Sequence, residues 1–288
     1  MTGRRVWRFS DGLWLAALTA GAVGSTWTTW ADIFRLGIRN EEQSHILLTP
    51  VIAAWLVWVR RERLRLCRPS PSLLGPLVVG AGWASVGWGF ANSVDIARHL
   101  GALAVVVGSW LSVMGPPVFA RFMAPLAVLV FLMPIPGRLR QAISIPLQEA
   151  TARVTEWILE IAAVPITRSG NLLSINGNEV AVAEACNGMR MVAALGLVTF
   201  AFVFSFPMRN GARLLILLFS PLIALLVNVI RLIPTVLMYG YAGADAADLF
   251  HDVSGWVMLF VGLALLWGLL WLLRWLQIPV SRYAFAGG

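Results

Sequence analysis

The chain contains no lysine: all 22 of its basic residues are arginine. It is also short of charge of either sign, with 12% charged against 59% hydrophobic residues, and it has only two cysteines in 288 positions. Each shortage excludes something. So little charge, with a mean hydropathy of +0.78, excludes an ordinary water-soluble domain and marks an integral membrane protein. Ten-residue segments of alternating polarity are missing, which excludes a transmembrane β-barrel. Two cysteines, Cys67 in the most basic loop and Cys186 far downstream, make no disulfide framework, and Cys67 reads as a tolerated loop thiol. Three dispersed histidines without a His-Glu-x-x-His spacing give no metal site, and nothing calls for a cofactor. The net charge of +8 does not indicate a nucleic-acid binder, because the arginines sit in short loops between apolar runs and not on a basic face interleaved with aromatics.

What the chain does have is a series of apolar runs. About 20 helical residues cross a hydrocarbon core of roughly 30 Å. The runs at 13–30, 45–59, 73–90, 96–114, 119–136, 189–206, 214–238 and 253–273 predict eight spans in one polytopic membrane domain, 1–288, of the all-α class, set among membrane lipids. A basic head, Arg4, Arg5 and Arg8, before the first run also fits a secretory signal, and its removal leaves the sidedness of the later spans unchanged. The block Arg60, Arg61, Arg63, Arg65 and Arg68 is the strongest cytoplasmic marker. With both termini inside, thirteen arginines fall on the cytoplasmic side, seven fall outside, and two, Arg190 and Arg231, lie within spans.

Between the fifth and sixth runs the character changes. Residues 143–164 mix Gln148, Glu149, Arg153, Glu156 and Glu160 with apolar residues at three- and four-residue steps, the pattern of an amphipathic helix lying in the membrane interface. Residues 171–183 alternate around Asn176-Gly177, the favoured centre of a type I′ hairpin. A small β-hairpin is therefore expected to deliver the chain to Glu184-Ala185-Cys186-Asn187-Gly188-Met189-Arg190.

The eight-span topology puts three chemically capable residues on the outer face. Cys186 precedes the sixth span, where the helix dipole and Arg190, one turn on, favour a thiolate. Gly188 permits close backbone approach, and Glu184 and Asn187 add polar groups seldom found around a purely packing cysteine, although a small buried hydrophobe is the plain alternative. Arg231 stands within an apolar run, where an arginine costs roughly 2.5–3.5 kcal/mol on insertion scales; near a span end it is also placed to snorkel to headgroups. Asn228 lies one turn earlier on its face. His251, before the eighth span, is suited to general acid–base work near neutral pH, while His45 and His99 read as interfacial residues at outer span ends. Cysteine, histidine and arginine together compose a thiol acyl-transfer site in which Cys186 attacks, His251 moves the proton and Arg231 stabilises the oxyanion.

These residues resemble the exosortase/archaeosortase family of polytopic membrane cysteine transpeptidases. The resemblance rests on Ala185-Cys186-Asn187-Gly188-Met189-Arg190, on Asn228-Val229-Ile230-Arg231, and on His251 with Gly255. Ser44-His45, Met133-Pro134-Ile135-Pro136 and Gly170-Asn171 extend it, so that about 43–256 forms the core. Asn187 and Met189 depart from the family's usual Ser and Leu or Ile. The resemblance implies a bacterial cytoplasmic-membrane enzyme with its site facing outward. Its substrates would be exported proteins with a C-terminal sorting tail, made of a Pro-Glu-Pro-like motif, a transmembrane helix and an arginine-rich end. The protein would be held as a thioester on Cys186 and passed to an acceptor that the sequence leaves unidentified, often in company with exopolysaccharide production. A catalytically idle scaffold, or a transporter component of polysaccharide export, is the alternative; a transporter would be expected to show internal repeats, and the two halves show none.

Overall fold

The computed structural model describes residues 7–67, 69–182 and 188–276, with the backbone alone at 41, 188, 189, 251, 252 and 256. The chain divides into two compact units, Met1–Pro136 and Gly137–Gly288. The described residues are mostly helical, with one small sheet.

In the first unit, α1 (Phe9–Ser25) and α2 (Trp27–Arg39) replace the single first span expected over 13–30. The break is at Thr26, whose backbone leaves the helical region at φ −120° and ψ 26°. Both Ser25 Oγ and Thr26 Oγ1 donate back to the Ala22 carbonyl, at 3.0 and 2.8 Å, a local bond that competes with the helix ladder and bends it. After the break α2 is amphipathic, burying Trp30, Ile33 and Gly37 while Arg35 and Arg39 share the helix. Hydropathy alone does not register such a hinge.

Next come α3 (His45–Val59), α4 (Leu74–Ala91) and α5 (Asp95–Met114). The pairing of α4 with α5 depends on glycine. A Cβ on Gly82 would lie 2.8 Å from the Gly101 carbonyl oxygen, and one on Gly101 would lie 2.6 Å from the Gly82 carbonyl oxygen. Gly75, Gly82 and Gly89 recur at seven-residue steps and are all buried. Between apolar helices this close backbone approach supplies dispersion contact that bulkier side chains would prevent.

The fifth expected span, 119–136, is also interrupted. It becomes α6 (Pro116–Arg121), α7 (Met123–Ala127) and a 3-10 turn over Val128–Leu132. Proline has no N–H to continue a helix, and Pro125 lies four residues after Arg121, where α6 ends. Both histidines of this unit, His45 and His99, are buried within the protein. His99 Nε2 lies 3.0 Å from Asp32 Oδ2, and Arg98 lies 3.6 Å from the same carboxylate, so α5 is tied to α2. Cys67 is likewise buried, against Val118 and Phe122, with its carbonyl accepting the Trp7 indole N–H at 3.0 Å.

The second unit opens with α8 (Gly137–Ile161), which begins six residues before the amphipathic helix expected at 143. It buries Ser144, Thr151, Ala152, Thr155 and Leu159, a stripe at helical spacing. An antiparallel sheet follows in the order β1 (Ile166–Ser169), β2 (Leu172–Ile175), β3 (Asn178–Ala181). Asn176 and Gly177 have φ of 49° and 80°, the pair of positive values that a type I′ turn requires. The expected hairpin is present, and β1 adds a third strand around Gly170, whose φ is 62°.

The sheet is fixed at both ends of its neighbours. Arg168 Nε donates to Glu156 Oε2 of α8 at 2.6 Å. Asn176 and Asn178 donate to the carbonyls of Gly240 and Tyr239 at 3.2 and 3.0 Å. Leu173, Ile175, Val180 and Val182 are packed with Leu159, Leu232 and Val236 in one apolar cluster.

The unit is completed by α9 (Gly188–Ser205), α10 (Asn210–Tyr241) and α11 (Ala244–Trp275), whose shared core includes Leu195, Ile216, Val227 and Leu266. Among the described residues four helices are long and apolar enough to cross a membrane, namely α4, α5, α10 and the Val257–Trp275 part of α11. Counting Met123–Leu132 with Gly137–Ile161 as one broken span makes five. These apolar helices make a multi-pass membrane protein; among the described residues fewer helices meet that length and apolarity than the eight spans expected, because two of the expected runs are broken and two, His45–Val59 and Arg190–Ser205, are shorter.

Replacing Gly101 by valine forces its side chain into the α4 backbone. The expected result is destabilisation of about 3 kcal/mol or more, the upper end for overpacking. Thermal unfolding in detergent measures it, with Gly80→Val, an open position on α4, changing little.

Candidate functional site

The site is built on Arg231. This side chain is only 1% exposed, and it heads the largest fully buried side chains among the described residues. Of the two environments open to it in sequence, headgroups or bundle interior, it occupies the interior. It sits in the body of α10, and its Nε donates to Ser254 Oγ of α11 at 3.0 Å. One turn on, Thr235 Oγ1 donates to the Arg231 carbonyl at 2.8 Å. One turn earlier, the buried Asn228 donates through Nδ2 to Thr151 Oγ1 of α8 at 3.3 Å. Residues 228, 231 and 235 share a face of α10 by their three- and four-residue spacing, and that polar face is held from α8 and from α11.

A second guanidinium arrives from α9. Arg190 is the third residue of that helix, in the turn where the dipole is positive. The meeting point is Gly255, next to Ser254 on α11. A Cβ added at Gly255 would lie 3.7 Å from Nη2 of Arg231 and 3.9 Å from Nη2 of Arg190. Two arginines 41 positions apart in sequence therefore approach the same glycine. The absence of a side chain matters here as space and not as backbone freedom, since Gly255 lies inside a regular helix.

The remaining candidates are placed less fully. Cys186, Glu184 and Asn187 lie outside the described residues. The chain leads toward them from Val182, which is fully buried and whose N–H donates to the Asn171 carbonyl at 2.9 Å, and resumes at Gly188, the first residue of α9. His251 is described by its backbone, which lies in α11. It precedes Ser254 by three residues and Gly255 by four, so it shares their helix face. His45 belongs to the first unit, where it is buried and its carbonyl accepts the Thr49 hydroxyl at 3.0 Å.

The structure thus brings together Arg231, Arg190, Asn228 and the Ser254-Gly255 step, with the His251 backbone one turn away. Two contributors escaped the sequence reading. Ser254 was marked only by its three-residue distance from His251. Thr151 belongs to a run of small hydroxyl residues, Ser144, Thr151 and Thr155, on the buried stripe of α8. Chemically, two guanidinium groups near one glycine in an apolar bundle favour negative charge close by, because a low-dielectric surround strengthens that attraction.

The family model described as transmembrane exosortase matches residues 30–268. The match covers most of the chain, including every residue of this site, and the chain belongs to that family. Neither a curated protein nor a solved structure matches it.

Ser254→Ala removes the acceptor of a hydrogen bond from a buried charge, a loss on the order of 1.5–3 kcal/mol. The expected outcome is a lowered unfolding temperature in detergent, with Ser254→Thr, which keeps the hydroxyl, close to the parent.

Proposed function

We propose that this member of the transmembrane exosortase family is a membrane-embedded cysteine protease-transpeptidase. It would cut the C-terminal sorting tail of exported proteins at the outer face of the bacterial cytoplasmic membrane and pass the protein to an acceptor. The observation that carries the reading is the convergence of Arg231 and Arg190 on Gly255. Arg190, Arg231 and Gly255 lie on α9, α10 and α11 and belong to the three sequence motifs that also hold Cys186 and His251.

The chemistry proceeds in two balanced steps. The Cys186 thiolate bonds to the scissile carbonyl carbon, and the carbonyl π electrons move to oxygen, giving an oxyanion that Arg231 stabilises. Collapse of that intermediate breaks the C–N bond, and the leaving amine takes its proton from the His251 imidazolium, leaving the protein as a thioester. An acceptor nucleophile then attacks the thioester, His251 takes its proton, a second oxyanion forms at the same place, and the Cys186 thiolate leaves. Burial favours the assignment of Arg231, because a preorganised donor in a water-excluded site loses no energy reorienting solvent as charge develops.

The substrate class follows from the family's resemblance and from the apolar setting of the site. A tail with a Pro-Glu-Pro-like motif, an apolar helix and terminal arginines would be anchored in the same bilayer as the enzyme. The arginine distribution supports an outward-facing site, since the block around Arg60 to Arg65 marks the cytoplasmic side.

The test is co-expression with a reporter protein carrying such a tail. Cys186→Ala, Arg231→Ala and His251→Ala are each expected to insert normally and to reduce tail processing by at least about 100-fold. Full processing by Cys186→Ala would contradict the proposal. A membrane-impermeant maleimide added from outside is expected to label Cys186 faster than Cys67, which is 2% exposed; equally slow labelling of the two favours an idle scaffold.

A further inference from the structure

The first unit contains a cleft that the proposed reaction does not use. Its volume is about 420 Å³, within the range of small-molecule sites, and it is lined by apolar side chains alone. From α3 come Pro50, Ala53, Ala54 and Val57, whose three- and four-residue steps make them one face of that helix, spread over about 10 Å of its axis. Trp110 of α5 also lines the cleft, but its indole N–H is already used, donating to Thr19 Oγ1 of α1 at 2.8 Å. Exposure differs between the sides. Val118, Phe122 and Leu129 are buried and form a floor, whereas Pro50, Ala54 and Val57 are exposed, so the cleft is open along α3. Such a lining takes hydrocarbon, because it offers a polar group no partner for the hydrogen bonds that group would leave behind.

One end of the cleft is basic. There its lining comprises Leu64, in the 3-10 turn Arg61–Leu66 that follows α3, and Phe119 and Phe122 around the end of α6. Arg63 and Arg65 flank Leu64, Arg121 lies between the two phenylalanines, and all three arginines are exposed. Arg121 Nη1 donates to the Leu66 carbonyl at 2.9 Å, which joins α6 to the turn and brings that guanidinium to the same end. Trp7 Nε1 secures the turn as well, 3.1 Å from the Leu64 carbonyl oxygen and 3.0 Å from that of Cys67. Arg61 stacks 4.5 Å over the ring of the exposed Trp58, the pairing of cation and aromatic that suits the headgroup level of a membrane. Within residues 60–66 four arginines face one acid, Glu62. Glu62 lies 3.3 Å from Arg65 with both side chains well exposed, a solvated pair that holds its partners weakly.

We propose that this cleft binds one anionic phospholipid, an acyl chain lying along the Pro50–Val57 face of α3 and the headgroup phosphate among Arg63, Arg65 and Arg121. The apolar lining by itself would accept any hydrocarbon, including the apolar helix of another protein. The charge at its end decides between them. A headgroup of net negative charge gains charge-assisted hydrogen bonds from guanidinium groups. A zwitterionic headgroup brings its own cation to the same arginines, and a helix that ends in arginines, as a sorting tail would, meets like charge. The assignment is independent of the acyl-transfer reading.

The experiment uses the full-length protein purified in detergent and incubated with equal amounts of phosphatidylglycerol and phosphatidylcholine of the same acyl chains, with native mass spectrometry reading the lipid retained. The parent is expected to hold one phosphatidylglycerol, preferred by about tenfold or more over phosphatidylcholine. Ala54→Trp, which fills the cleft from its open wall, is expected to lose retention of both lipids. Arg63→Gln combined with Arg65→Gln is expected to keep lipid but lower the preference about tenfold. A phosphatidylglycerol carrying a diazirine on its acyl chain locates the lipid on the parent protein without any substitution, and crosslinks are expected in the α3, α5 and α6 peptides. Equal retention of the two lipids by the parent, an unchanged preference in the double arginine variant, parental retention by Ala54→Trp, or crosslinks confined to other helices would each overturn the proposal. Displacement of the lipid by a synthetic apolar helix with terminal arginines would overturn it too, making a protein segment the occupant.

Discussion

Burying one arginine in an apolar helix bundle is the constraint on which the second unit depends. At the centre of a membrane helix a guanidinium is costly, and truncating any group that satisfies it would leave a buried charge short of partners. The protein meets the cost by polar contacts between helices: Ser254 from α11 holds Arg231 Nε, and Asn228, one turn away, is tied to Thr151 of α8. The interhelical hydrogen bonds of Arg231 Nε and Asn228 Nδ2 also fix the relative placement of α8, α10 and α11. Site and scaffold are therefore one arrangement, and a change in either is felt in the other.

The sheet serves the same end by different means. Strands of four residues have little independent stability, and these gain theirs by docking. Leu173, Ile175 and Val180 enter the cluster with Leu159, Leu232 and Val236, and Gly240 comes so close to Ile175 that an added Cβ would meet three of its side-chain atoms at 2.9 Å. The hydrogen bonds of Asn176 and Asn178 to the end of α10 complete the attachment. The chain that leaves β3 toward Cys186 thus starts from a firm base on α8 and α10, the helices that also position Asn228 and Arg231.

The legibility of this protein in its sequence varied with the kind of signal each feature leaves. Asn176-Gly177 announces its turn because few dipeptides tolerate two positive φ values, and the turn is there. Arg231 announces itself because a charge in an apolar run needs a reason. Strand β1 left no comparable trace: Ile-Thr-Arg-Ser is too short and too polar to alternate visibly, and pairing with β2 makes it a strand. The first and fifth apolar runs read as continuous because hydropathy is blind to hydroxyls that bend a helix at Thr26 and to the consequences of Pro125 for a short segment. Least legible was the meeting of Arg190 and Arg231 at Gly255. No periodicity joins positions 190, 231 and 255; the three come together only because α9, α10 and α11 pack as they do, and the motifs could place the residues on helices without showing that two of them share one point.

In the proposed reaction Cys186 Sγ carries the substrate, and a covalent intermediate tests this most directly. Membranes containing the full-length protein and the tail-bearing reporter, quenched in acid and examined by mass spectrometry, are expected to yield a reporter fragment joined to the Cys186 peptide through a bond that neutral hydroxylamine cleaves. A processed reporter with no adduct on Cys186, in a preparation where a slow acceptor should let the thioester accumulate, would contradict the account.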